Sequence, residues 1–380
     1  MDIMFRRIGC RYLQVFSEAE IDIKYIGVKP VEYPISTKAF VVEDAHRQAI
    51  YDTAVATLKL CMHDHYEDCP WREQALYTLD SRSQMLYGYY AFEDSFEYVK
   101  ANLVLISKGQ KADGSLPICF PSGEDLNIPF FGLIYVLQVA DYVEHSGDIK
   151  LSAQLKTTLE KLLSFYKLDK NNLIKNFSGC WNFFEWSEGL SSATQRAEPN
   201  ILEDERYALP LQCMAILAHE AMDKLYMSAN KQTSFSHTAE LIRKAVRKNF
   251  FDTDVGLFTS FKGEKHFSKL SNALAILSGC AAEDAPKICN AITDSSSTMS
   301  DATLSMKFYV YQALLTCGDI YKEYILKDID ETYSYMLRCG ATSFWETIKG
   351  ESDFGGAGSL CHGWSALPVY FYTKLLTHTV

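Results

Sequence analysis

The chain has no sustained run of Lys and Arg, no CxxC pair, and no uninterrupted apolar stretch near the roughly 20 residues of a membrane span. Each absence excludes something. With a formal net charge of −11 and no basic cluster, neither a nucleic acid nor an anionic membrane surface is an expected partner. The 11 cysteines are odd in number, and Cys61, Cys213 and Cys317 sit in apolar helical contexts. They read as reduced thiols buried as small hydrophobes rather than as a disulfide framework. The start, Met1-Asp2-Ile3-Met4-Phe5-Arg6-Arg7, lacks the apolar core of a secretory leader, which points to a cytoplasmic location unless the chain is a piece of a longer one.

Catalytic signatures are missing too. There is no GxSxG elbow, no phosphate-cradling Gly-Lys-Ser/Thr, no GxGxxG after a strand and no HExxH. No cofactor is therefore expected. His63 and His65 flank Asp64 on a stretch read as helix, where positions two apart face different ways, so no metal is expected there either.

What is present is apolar residues, 48% of the 380, in two patterns. Residues 11–16 and 21–26 alternate as strands do, and Pro30 and Pro34 punctuate the next stretch, so residues 1–40 read as the remnant of a β-sandwich domain or as a strap. From residue 41 the period is helical, with candidate helices over 44–64, 71–92, 92–107, 128–146, 149–167, 203–227, 236–249, 266–278, 298–315, 319–337 and 362–377. No fixed-period sequence repeat accompanies them, which favours a closed toroid of helix hairpins over an open solenoid. The unusual residues fall in loops or at helix starts, and a ring of hairpins would gather those loops at one end.

The densest chemistry lies in Asp68-Cys69-Pro70-Trp71-Arg72-Glu73-Gln74, followed by Tyr77 and Asp80. Pro70 suits a first helical position and Asp68 a cap, which would place Glu73, Tyr77 and Asp80 on one helical face. Like charges on one face are unfavourable unless something outside the helix uses them. Asp113-Gly114-Ser115-Leu116-Pro117 has the chemistry of a turn. The stretch from Trp181 to Gly189 sets Glu185 and Glu188 among Trp181, Trp186 and two phenylalanines, too aromatic for a solvated loop and too acidic for a core. Near the C-terminus, Glu346 follows Phe344 and Trp345, whose burial would desolvate it and raise its pKa, and Ser359-Leu360-Cys361-His362-Gly363-Trp364 comes shortly after. Paired carboxylates with aromatics are the equipment of glycoside hydrolysis.

The stretch from Asp68 to Gln74 with Asp80, and the stretch from Gly340 to Glu346 with Ser359 to Trp364, resemble the two signatures of bacterial α-L-rhamnosidases of glycoside hydrolase family 78. The resemblance covers roughly residues 40–378. It implies an all-α (α/α)6 barrel over residues 41–380 and an inverting hydrolase that removes terminal α-L-rhamnose from glycosides or polysaccharides. By position, Glu73 matches the general acid and Glu346 the general base. Asp68, Arg72, Asp80 and His362 match residues of the sugar pocket. Trp181 or Trp186 matches a ring-stacking tryptophan, and Tyr77, Glu185, Trp345 and Trp364 complete the candidate wall. A different sugar such as a uronic acid, or a non-catalytic carbohydrate-binding or scaffold barrel, is the alternative. Family members usually carry β-sandwich domains before the barrel, and their loss could uncover an apolar face and favour a homo-oligomer. The reading requires Glu73 and Glu346 to face one another across the mouth of the ring.

Overall fold

A computed structural model describes residues 7–190, 204–228 and 234–376. Twelve α-helices are assigned among them: α1 (Ala45–Leu60), α2 (Thr78–Ala91), α3 (Phe96–Ser107), α4 (Pro129–Ser146), α5 (Ile149–Phe165), α6 (Leu209–Ser228), α7 (Phe235–Phe250), α8 (Lys269–Leu277), α9 (Ala285–Thr293), α10 (Lys307–Cys317), α11 (Lys322–Arg338) and α12 (Leu367–Leu376). A small antiparallel hairpin, β1 (Phe251–Asp252) with β2 (Leu257–Phe258), follows α7. Positions 1–6, 203 and 377, within the expected N-terminal segment and two of the expected helices, lie outside the described residues.

Even-numbered helices form an inner ring. α2 packs on α4, α4 on α6, α6 on α8 and α8 on α10. Phe308 and Tyr311 of α10 meet Phe371 of α12, and α12 packs back on α2. The odd-numbered helices lie outside, and the result is an (α/α)6 toroid.

The sequence dictates which helix goes where. α5 carries one apolar stripe, with Leu151, Leu155, Leu159, Leu162 and Leu163 buried, and faces water elsewhere, as an outer helix must. Burying each such leucine contributes about 1.5–3 kcal/mol. α4 is buried nearly all round, from Pro129 through Val139, because helices press on it from several sides. Caps set the boundaries. Asp44 accepts the His46 and Arg47 N–H groups at the start of α1, and Asp148, after the left-handed Gly147 that ends α4, accepts the Lys150 N–H to start α5.

Three expectations are corrected. Residues 11–16 and 21–26 form no ladder: they are exposed and carry no assigned strand, since the alternating pattern finds no sheet edge to pair with among the described residues. The helix expected from Pro70 begins instead at Thr78. Asp68 caps a loop, not a helix: its N–H donates to the Ala75 carbonyl and its Oδ1 accepts the Ala75 N–H at 2.8 Å, with Gln74 left-handed at φ 54° between them. Glu73 and Asp80 are therefore not on one helical face. His63 and His65 lie in the turn after α1, where His63 Nδ1 sits 3.0 Å from Glu67 Oε2. The short helix α9 carries no expectation from the sequence, because only its Ile288, Cys289 and Ile292 are buried.

The connections are unequal. Those that enter the inner helices α2, α4, α6, α8, α10 and α12 are long, whereas the Gly147-Asp148 link leaving α4 is two residues. The long ones gather at the N-terminal end of the inner ring, and the acidic and aromatic motifs lie in them.

Candidate active site

The loop before α2 and the loop before α12 meet face to face. Arg72 Nη2 donates to Glu346 Oε1 at 2.9 Å and lies 3.4 Å from Glu73 Oε2, while Arg72 Nε is 3.3 Å from Glu73 Oε1. One guanidinium thus stands between the two glutamates. Its Nη1 also donates to the Ala357 carbonyl, so the arginine is fixed from both loops. Burial alone would lower its pKa, but Glu346 and Glu73 outweigh this and keep it a cation.

Glu346 is buried, and its Oε2 accepts the Ser359 N–H at 2.9 Å. Burial raises its pKa as the sequence implied, with Arg72 and the Ser359 N–H pulling the other way. Trp364 donates its indole N–H to the Glu346 carbonyl at 3.0 Å and stacks on His362 with ring centroids 3.7 Å apart.

Behind this pair lies a floor of buried polar atoms. His362 Nδ1 is 3.5 Å from Asp80 Oδ1 and its Nε2 is 3.9 Å from Asp68 Oδ2. None of His362 Nδ1, Asp80 Oδ1 and Asp68 Oδ2 has a hydrogen-bond partner among the described residues, although all three residues are at most 2% exposed. Buried polar atoms left unsatisfied are unfavourable by about 1–3 kcal/mol each, and they mark a place where a ligand can supply the missing bonds. Burial pushes both aspartate pKa values well up, with Glu73 reinforcing each, and holds His362 neutral with Arg72 adding to the effect. Carboxyl oxygens accept and a neutral imidazole can both donate and accept, which is what a ring of sugar hydroxyls asks for.

This floor depends on a close approach at Gly363. Its N–H donates to the Asp68 carbonyl, and a Cβ built there would lie 1.9 Å from Gln84 Nε2, which in turn holds the Glu67 carbonyl.

The candidate residues divide. Asp68, Arg72, Glu73, Asp80, Glu346, His362 and Trp364 come together. Tyr77, the residue before α2, lies edge-on to Phe131 at 6.5 Å, and burial, then Glu73 and Asp68, raise its hydroxyl pKa. Trp186 reaches the site through Phe354, 4.8 Å away, whose ring lies 5.9 Å from the Arg72 guanidinium. Trp181 is buried behind Trp186, at 6.0 Å edge to face.

Two expected wall residues point elsewhere. The Trp345 indole lies edge-on to Tyr335 of the outer helix α11 at 6.3 Å and covers Gly350. Glu185 is fully buried and its oxygens accept from protein: Oε1 from the Thr303 and Ser305 hydroxyls and the Trp186 N–H, Oε2 from the Thr303 N–H. Burial pushes its pKa up to about 7, and those bonds oppose the rise. It anchors the loop that carries Trp186 to the loop before α10.

The sequence assigned no role to Phe354 or to Ser359. Phe354 has φ 52° and ψ 34°, a left-handed conformation that is unfavourable for a bulky residue by on the order of 1–3 kcal/mol. Its one signal is a large aromatic directly before Gly355-Gly356. Ser359 also accepts the Trp71 indole N–H at 3.0 Å, tying the two loops a second time.

Asp68, Cys69 and Glu73 bring three ligand-type atoms within 4.8 Å of one another. The set suits a cation poorly, since burial raises the Cys69 thiol far above neutrality and Glu73 already faces Arg72. Among the described residues no helix is long and apolar enough to cross a membrane.

The rhamnosidase of Bacillus sp. GL1, from family GH78, superposes with a TM-score of 0.80 at 24% identity, over 90% of this chain and 36% of its own. The Klebsiella oxytoca rhamnosidase with rhamnose bound gives 0.74 at 18%, over 90% of this chain and 66% of its own. The mannosylglycerate hydrolase of Thermus thermophilus, from family GH63, gives 0.55 at 13%, over 85% of this chain and all of its own. The chain thus spans about a third of the first of these proteins and just under two thirds of the second. None of the curated proteins matches the chain. Residues 36–376 match the bacterial α-L-rhamnosidase six-hairpin glycosidase domain, and the chain belongs to that family.

Proposed function

We propose that the protein is an inverting glycoside hydrolase that removes terminal α-L-rhamnose from glycosides or polysaccharides, with Glu73 as general acid and Glu346 as general base. The observation that carries this reading is the single Arg72 nitrogen within reach of both carboxyls, over a floor of unsatisfied buried acceptors. The sugar sits on Asp68, Asp80 and His362, which take its hydroxyls. Glu73 passes its proton to the glycosidic oxygen as the bond from that oxygen to the anomeric carbon breaks. Glu346 takes a proton from the water that attacks the opposite face, and the free sugar leaves with its anomeric configuration inverted.

Arg72 and the Ser359 N–H hold Glu346 toward the ionised form that a base requires, against its burial. Glu73, with its side chain 40% exposed, stands where a leaving group departs. The nearest oxygens of the two glutamates are closer than the roughly 6.5 Å at which the inverting range begins. Glu73 therefore swings off Arg72 when a glycoside enters, a motion its exposure allows.

The test is a panel of 4-nitrophenyl glycosides with early product captured by proton NMR. Turnover of the α-L-rhamnoside with the β anomer of rhamnose appearing first supports the reading. Turnover confined to another sugar removes the substrate, and the α anomer appearing first removes the inverting mechanism.

A further inference from the structure

We propose that Phe354, with Trp186, forms the leaving-group side of this site and selects flat aromatic leaving groups over sugars, an inference that rests on the glycosidase reading above.

The order of burial gives the direction. Asp68, Asp80 and His362 are at most 2% exposed and can only meet the sugar held deepest. Glu73 is the exposed carboxyl, and Phe354 is partly exposed on the same guanidinium. A group bonded to the anomeric carbon and protonated by Glu73 must pass beside Phe354.

The ring is placed there by construction. Asp353 Oδ2 accepts the Thr347 hydroxyl at 2.8 Å, its Oδ1 accepts the Phe354 N–H at 3.0 Å, and its carbonyl accepts from Gly356, Ala357 and Gly358. The Ala357 carbonyl then accepts from Arg72. This ties the left-handed Phe354 to the arginine between the two glutamates, and a strained residue held by its surroundings is the usual mark of a functional position.

Trp186 and Phe354 meet at 61° with centroids 4.8 Å apart, forming an apolar corner. At this corner the Trp186 Nε1–H is buried and without a partner among the described residues. A flat aromatic group bearing an acceptor oxygen matches one donor and two ring faces. A second sugar, ringed with hydroxyls, would give up water along those two rings.

The test compares wild type with Phe354→Gly, which keeps the left-handed backbone without strain and deletes only the ring. The substrates are 4-methylumbelliferyl α-L-rhamnoside and a rhamnosyl-glucose disaccharide, and thermal unfolding is followed in parallel to show that the variant folds. Expected is a loss of roughly tenfold in kcat/KM on the umbelliferyl substrate, carried mainly by KM, with less than about a twofold change on the disaccharide. Equal losses on both, or no loss on the umbelliferyl substrate, overturn the proposal while leaving the glycosidase reading intact. If wild type cleaves no rhamnoside, the underlying reading fails and takes this one with it.

Discussion

Arg72 and Glu346, 274 residues apart in the chain, are joined by a hydrogen bond of 2.9 Å. That bond spans the mouth of the barrel, linking the loop before α2 to the loop before α12. It holds a buried carboxyl toward its ionised form, against the burial that raises its pKa.

Removing the arginine should move the pH dependence in a definite direction. Burial raises the Glu346 pKa and Arg72 lowers it, so Arg72→Gln leaves burial less opposed and the pKa rises further. A base acts when ionised, so the acid limb of kcat/KM against pH shifts to higher pH. A limb that stays put or moves down would mean that Glu346 is not the group seen.

Glu73→Gln keeps the shape of the loop and removes the transferable proton. Its kcat on a rhamnoside with a poor leaving group should fall by about 10²–10⁴, and calorimetry should still detect rhamnose binding to the Asp68, Asp80 and His362 floor. Full activity in this variant would strip Glu73 of the acid role.

Glu185 offers a stability test away from the chemistry. Its folded-state pKa is about 7, above the ordinary value of 4.5, so the folded protein holds that proton more tightly than the unfolded chain does. The contribution is fully present below the unfolded pKa and is lost as pH rises toward 7, a change of about 3 kcal/mol. Glu185→Gln carries no such proton. In urea unfolding, its stability relative to wild type should therefore improve by about that amount between pH 4 and pH 8. A pH-independent difference would refute the assignment.

Gly363→Ala tests the close approach beneath His362. The added methyl meets Gln84 Nε2, so the variant should lose about 1–3 kcal/mol of stability. Combining it with Gln84→Ala should recover part of that loss. Full additivity of the two changes, measured in a double-mutant cycle, would show that they do not meet.

How far the sequence could be read depended on whether an element's cause was local. The helices at α4 and α5 were legible because a local apolar period marks each, and the structure adds that the single buried stripe of α5 places it outside while the buried run from Pro129 to Val139 places α4 inside. The stretch from Pro70 misled because Pro and Asp are equally at home at a helix start and in a loop, and only the Asp68–Ala75 bonds choose between them. The alternation over residues 11–16 and 21–26 is a strand's pattern without a strand's structure, since a strand exists only beside a partner.

The site shows the same division. By themselves the residues from Asp68 to Asp80 and from Glu346 to Trp364 named the chemistry, because carboxylates and indoles at that density have few other uses. Tertiary structure alone decided that Arg72 would stand between Glu73 and Glu346, that Trp345 would turn outward to Tyr335 while Glu185 became an anchor, and that Phe354 would lie against the Arg72 guanidinium. Residue type is written in the chain, but which groups share a desolvated space depends on contacts hundreds of positions apart, and those are set only when the ring of helices closes.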